Sequence, residues 1–187
     1  MPGFQRRRCA PANRAARGFT LVELLTVVAI VGILATIAII LVQRHFRSSK
    51  SLEAISIISA IRGAQEARRA ETGSYANVSP TGLWFPATPD GSTKRSFVAP
   101  GHADAERWKQ LGVSRTDGTQ FGFRVFAGGP GPIDVALGTV ETVSFPEASD
   151  QWYVIQAAGD IDPSSPALSL YVASSLDSEL YIENEGE

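Results

Sequence analysis

Residues 17–42 read RGFTLVELLTVVAIVGILATIAIILV, from Arg17 to Val42. Leu24 to Val42 is nineteen residues without a charge, and only Thr26 and Thr36 among them carry hydrogen-bonding side chains. Wound as a helix at ~1.5 Å per residue, that run spans ~28 Å, close to the ~30 Å hydrocarbon core of a bilayer. A cleaved secretory signal has a shorter apolar run followed by a small-residue cleavage site. Here the run is followed by Gln43-Arg44-His45-Phe46-Arg47, with no such site. Glu23 is the residue a plain anchor leaves unexplained. A carboxylate costs ~2.5–3.5 kcal/mol near the bilayer centre, less towards its surface, and so asks for a partner.

The flanks are strongly segregated in charge. Arg6, Arg7, Arg8, Arg14 and Arg17 precede the run with no acid among them. From Phe19 onward twelve basic residues face all nineteen acids, a formal charge of −7. A basic start before an apolar run is the layout of a targeting segment. Arg44, Arg47 and Lys50 follow the run, so the excess of arginine before it favours a cytoplasmic N-terminus and an outward-facing remainder. The acidic remainder argues against a nucleic-acid partner, because no dense basic face is left for phosphates. Cys9 is the only cysteine, so after Phe19 no disulfide, thiolate metal site or thiol nucleophile is available.

The stretch Arg17-Gly18-Phe19-Thr20-Leu21-Val22-Glu23-Leu24-Leu25, continued to Ile39, resembles the class III signal of type IV prepilins and type II secretion pseudopilins. The likeness rests on a short basic leader, Gly before the cut, Phe after it and Glu as the fifth mature residue. It implies that a prepilin peptidase cuts between Gly18 and Phe19 and methylates the new amine of Phe19, and that Glu23 is the assembly glutamate. A glycine suits the first position, where a protease must approach the backbone closely. A cationic amine would pair with a neighbouring subunit's Glu23 inside an apolar bundle. The position twenty-two residues into the mature chain, proline in many members, is Ile40 here, while the family's glycine eight positions earlier is present as Gly32. A helix without that proline should bend less.

Helical periodicity continues beyond the apolar run. Leu52, Ile55, Ile58 and Ile61, widened by Ala54, Ile57 and Ala64, predict a half-buried face, with Arg62/Glu66 and Arg68/Glu71 on a solvated one. Gly73 is a suitable stop, giving a helix from near Phe19 to near Thr72, about 54 residues and ~80 Å long. The Gly73-Ser74-Tyr75 exit also resembles the end of the pilin helix. Between Ser74 and Gly118, Pro80, Pro86, Pro89 and Pro100 mark an irregular connection. Within it Asp104–Leu111 reads as a short helix closed by Gly112, with Trp108 and Leu111 inward. Strands are expected at Phe121–Phe126, with Phe121, Phe123 and Val125 on one face, then at Trp152–Ala158, Leu168–Ala173 and Glu179–Glu183, the last at an edge. Gly128–Pro132 is a turn or loop, and Val135–Phe145 is either a strand pair or a loop. The fold class is therefore α+β, a long helix on an antiparallel sheet. The expected divisions are a leader (1–18), a membrane and assembly half-helix (19–42), an amphipathic half-helix (43–73) and a sheet domain (74–187).

Little in the sheet domain suggests chemistry. His45 and His102 lie far apart and read as surface residues, and no nucleophile elbow or paired-histidine metal motif occurs. Asp160-Ile-Asp162-Pro-Ser-Ser165 resembles the start of a calcium loop, which major pseudopilins carry in this region. It lacks the repeated aspartates, the glycine and the closing Glu, and a polar hairpin turn is the alternative. Asn77-Val78-Ser79 matches a glycosylation sequon. No cofactor is expected. The leading expectation is a non-enzymatic type IV pilus subunit, single-pass in the bacterial inner membrane before assembly. Its partners would be other pilin-like subunits, prepilin peptidase and the inner-membrane assembly machinery. A type II secretion pseudopilin is the alternative, and a membrane-tethered enzyme or binding domain is a third reading for which no active site is found.

Overall fold

The computed structural model describes residues 18–90, 93–113, 115–135, 145–162, 165 and 167–184. Its elements are helix α1 (Leu21–Thr72), helix α2 (Ala105–Leu111) and strands β1 (Gly122–Gly128), β2 (Trp152–Gly159), β3 (Ser169–Ser174) and β4 (Leu180–Glu183). By contacts the chain divides between Val42 and Gln43 into two units. In the first, every described residue is exposed. Its two apolar-run hydroxyls are satisfied within the helix: Thr26 donates to the carbonyl of Val22 at 2.6 Å and Thr36 to that of Gly32 at 2.9 Å. A threonine bonded back to its own helix shows a lipid phase only its methyl group.

The second unit is the folded domain. Its four strands form one antiparallel sheet in the order β1-β2-β3-β4, so each strand pairs with its neighbour in sequence and β4 is an edge. The period of two along each strand sorts the side chains to two faces. Phe123, Val125, Tyr153, Ile155, Ala157, Tyr171 and Ala173 meet Ala54, Ile57, Ile58 and Ile61 of α1, with Trp108 and Leu111 of α2 in the same core. The opposite face is also covered. Trp152, Val154, Ala158, Leu170 and Val172 are buried there against Trp84, Phe126, Ile133, Val135 and Phe145. That second layer was not expected from sequence, although β2 reads as an unbroken apolar run apart from Gln156, the pattern of a strand buried on both faces.

Several expectations are corrected in detail. The buried stripe of α1 is Ser51, Ala54, Ile57, Ile58, Ile61 and Gln65, whereas Leu52 is 62% exposed. Counting in steps of three from Leu52 drifts off the face, because an α-helix repeats every ~3.6 residues. The sequence 51, 54, 58, 61, 65 keeps phase, and small Ser51 is buried where it accepts the Tyr171 hydroxyl at 3.0 Å. Arg62 and Glu66 do not pair: Arg62 donates to the Glu179 carbonyl at 3.1 Å, and Glu66 accepts from the Tyr75 hydroxyl at 3.1 Å. His102 is half-buried. One ring nitrogen, Nε2, lies 3.1 Å from the Trp84 carbonyl oxygen, the other accepts from the Asp104 N–H, and the ring meets Phe85 edge-on. Most of Val135–Phe145 lies outside the described residues.

Both helix ends follow local rules. Gly73 has φ +76° and donates to the Arg69 carbonyl at 2.8 Å, and Gly112, φ +78°, closes α2. Each takes the left-handed conformation that ends a helix and that residues with a Cβ avoid.

Candidate functional site

The region that bears on function is the start of α1. Gly18, Phe19 and Thr20 precede the first helical turn, and all three are exposed, Phe19 at 74%. The Gly18–Phe19 peptide bond thus joins two exposed residues outside the helix. Thr20 caps the helix. Its carbonyl accepts from the N–H of Leu24 at 3.2 Å, and its hydroxyl oxygen accepts from the N–H of Glu23 at 3.2 Å. The same hydroxyl lies 3.5 Å from Glu23 Oε2, to which it donates. Thr-x-x-Glu is the capping-box spacing, legible in the sequence at Thr20 and Glu23 yet not recognised there. Glu23 therefore has a local reason to stand in the first turn, since its charge faces the positive end of the helix dipole. Its carboxylate stays exposed and free to meet a second group. α1 is long and apolar enough to cross a membrane.

Residues 13–39 match the family model described as the prokaryotic N-terminal methylation motif. The segment is a class III prepilin-type signal. Neither curated proteins nor solved structures give the chain a significant match. The signal is common to type IV pilins and pseudopilins, and the arrangement of a long apolar helix and a four-stranded antiparallel sheet is pilin-like. It points to a structural subunit, to filament assembly with other pilin-type subunits and to membrane anchoring.

The calcium candidate is differently engaged. Asp162, 7% exposed, is held by Arg47 of α1 at 3.0 Å, and Lys50 donates to the backbone carbonyl of Asp160 at 3.3 Å. Asp160 Oδ1 is buried without a hydrogen-bond partner. Among the described residues no group of three or more His, Cys, Asp or Glu side chains converges as a metal site would require. The i, i+3 spacing of Arg47 and Lys50 could have announced a basic face on α1, but nothing in sequence says which acidic turn it meets. Asn77 of the sequon is exposed, while the Ser79 hydroxyl is buried and accepts from the N–H of Val125 at 3.1 Å.

A polar cluster fixes the chain where it leaves α1. Arg69 donates to the Tyr75 hydroxyl at 2.9 Å and pairs with Asp150 at 2.5 Å. The Gln151 amide oxygen accepts from the N–H of Tyr75 at 3.2 Å. The Asp150 carboxyl is held below its usual range, first by the N–H of Gln151 and then by the Arg69 charge. Burial pushes the Tyr75 phenol up. The cluster ties Tyr75 and the segment at 150–151 to the last turns of α1.

Proposed function

We propose that this chain is a type IV pilus subunit, cut between Gly18 and Phe19, N-methylated at Phe19 and assembled through residues 19–42. The observation that carries the reading is the match to the methylation motif across residues 13–39, with Glu23 exposed in the first turn of an apolar helix. The N-terminus lies in the cytoplasm before assembly. Arg47 and Lys50 support that orientation, because both are engaged by the turn at 160–162 and the leader keeps the larger excess of positive charge. Prepilin peptidase and the inner-membrane assembly machinery act on the chain, and no cofactor takes part. Mass spectrometry of the mature N-terminus tests the processing step. N-methyl-Phe19 is the expected result, and a start at Met1 or beyond Val42 would overturn it.

In a staggered bundle, Glu23 of one subunit receives the cationic amine of another. A misplaced register leaves both charges unpaired, at about 3–5 kcal/mol. Glu23→Ala should therefore insert and be cleaved normally, yet be strongly depleted from sheared filaments relative to the membrane fraction. The local capping role makes a second variant informative. Glu23→Gln keeps the hydrogen-bonding reach and loses the charge, so it too should be depleted. If Glu23→Gln assembles at the normal ratio, Glu23 serves the helix end alone.

The same signal serves type II secretion pseudopilins. The engagement of Asp162 by Arg47 supports the pilus reading over a major pseudopilin with a calcium loop. Recovery of this chain in long surface filaments favours the pilus, and its loss blocking protein secretion instead favours the pseudopilus.

A further inference from the structure

The last turns of α1 and the second half of α2 frame a cleft of about 270 Å³, lined by Arg68, Tyr75, Asn77, Arg107 and Gln110 and floored by Val78 and Leu111. Two arginines thus line one small space from two different helices. Both are permanently charged. Among the described residues neither Arg68 nor Arg107 has an ion-pair partner, although acids outnumber bases over the chain from Phe19 onward. Glu71 and Glu106, their neighbours in sequence, line no part of the cleft, and Glu106 lies instead by Lys109 at 3.9 Å. Arg68 is half-buried, and its Nε is buried with no hydrogen-bond acceptor. A buried donor left unsatisfied is costly, so an acceptor that reaches Arg68 from the cleft would be favourable. Two of the nearby polar groups are already engaged. The Tyr75 hydroxyl is used by Arg69 and Glu66, and both backbone polar groups of Ala76 are taken by Gln65.

We propose that this cleft binds an oxyanion, a carboxylate or a phosphate, between Arg68 and Arg107, with the amides of Asn77 and Gln110 at its rim. Guanidinium groups present parallel N–H donors that match the paired oxygens of such anions, and the charge-assisted bonds are strong where the site is partly dry. The inference does not rest on the filament reading. The anion has two sources, a free ion or an acidic side chain on a second copy of this chain.

The test follows the Arg68 and Arg107 side-chain Nε resonances by NMR in the full-length chain in detergent micelles. Inorganic phosphate and citrate are titrated against sodium chloride at matched ionic strength. Both resonances should move saturably with phosphate or citrate and not with chloride. Arg107→Gln, at an exposed side chain that does not endanger the fold, should weaken the binding followed at Arg68 by about tenfold or more. If a second copy supplies the anion, raising the chain concentration alone shifts both resonances and phosphate reverses the shift; if a free ion is the ligand, concentration alone does nothing. The proposal is overturned if neither treatment moves both arginines, if only one of them responds, or if Arg107→Gln responds as the parent does.

Discussion

The side-chain amide of Gln65 is wholly buried in α1, and the backbone of Ala76 matches it on both sides. Its nitrogen donates to the Ala76 carbonyl at 2.7 Å, and its oxygen accepts from the Ala76 N–H at 2.8 Å. This double bond of amide to amide stands in for a strand partner at the point where the chain leaves the helix. Gln65→Leu fits the space but strands both backbone groups, so it should cost the domain about 2–4 kcal/mol, read from denaturant midpoints. Gln65→Glu keeps the acceptor and places a charge against the Ala76 carbonyl, so it should be no better than leucine. A shift below the error of the measurement for both variants would mean that water replaces the amide. Nothing in the sequence singled out Gln65. A polar residue on a stripe of Ile and Ala looks like an interruption of the face, and only the fold brings the unpaired backbone of residue 76 to it. Glu23 shows the opposite case, conspicuous at once as a charge in an apolar run, although its capping contact with Thr20 went unread.

At the scale of the element, α1 past Val42 is held by a narrow stripe. Ile57 and Ile61 are fully buried against the sheet, while Leu52 points to solvent. Ile57→Ala or Ile61→Ala should therefore destabilise the domain by about 2–5 kcal/mol, through lost burial and the cavity left behind. Leu52→Ala should fall within about 0.5 kcal/mol of the parent. Equal losses at all three positions would mean that the helix sits in another phase. The strands were easier to read than this face. Trp152–Ala158 and Leu168–Ala173 are apolar runs between turn signals, and their register needs only a period of two. The helix face needed a phase, and the hydrophobicity of Leu52 outweighed Ser51, whose burial depends on a hydroxyl of Tyr171 that lies far along the chain. The cover on the outer sheet face was illegible for a similar reason. Trp84, Ile133 and Phe145 come from irregular segments with no period to announce which surface they meet.

Across the whole domain, three of the four tyrosines resist ionisation. The Tyr153 phenol, 3% exposed, is pushed up to about 12 by burial and by the neighbouring Glu66 carboxylate. Those of Tyr75 and Tyr181 are raised as well, Tyr75 chiefly by burial and Tyr181 by its hydrogen bond to Asp177. In the unfolded chain a phenol ionises near 10. Below that pH both states are neutral and these groups contribute their full stability. Above it the unfolded chain sheds protons that the fold retains, so stability falls as pH climbs from about 10 towards 12. Tyr153→Phe should flatten that fall in unfolding free energy measured between pH 9 and 12. An unchanged slope would show that Tyr153 ionises freely in the folded chain.

The hydrogen bond between Ser51 and Tyr171 joins positions 120 residues apart. The sheet itself is a meander whose strands pair with sequence neighbours, whereas the helix face must wait for β2 and β3. At ~5–20 residues per second of synthesis, the interval between making Ser51 and making Tyr171 is about 6–24 s. Until that interval ends, the cover over Ile57 and Ile61 is incomplete, beside an apolar segment already suited to a bilayer. The nascent chain therefore carries two greasy surfaces in succession, one that a membrane can take at once and one that the late strands finish shielding. Its quality control is a matter of timing, and a chain stalled before Tyr171 is a natural client for a holding chaperone.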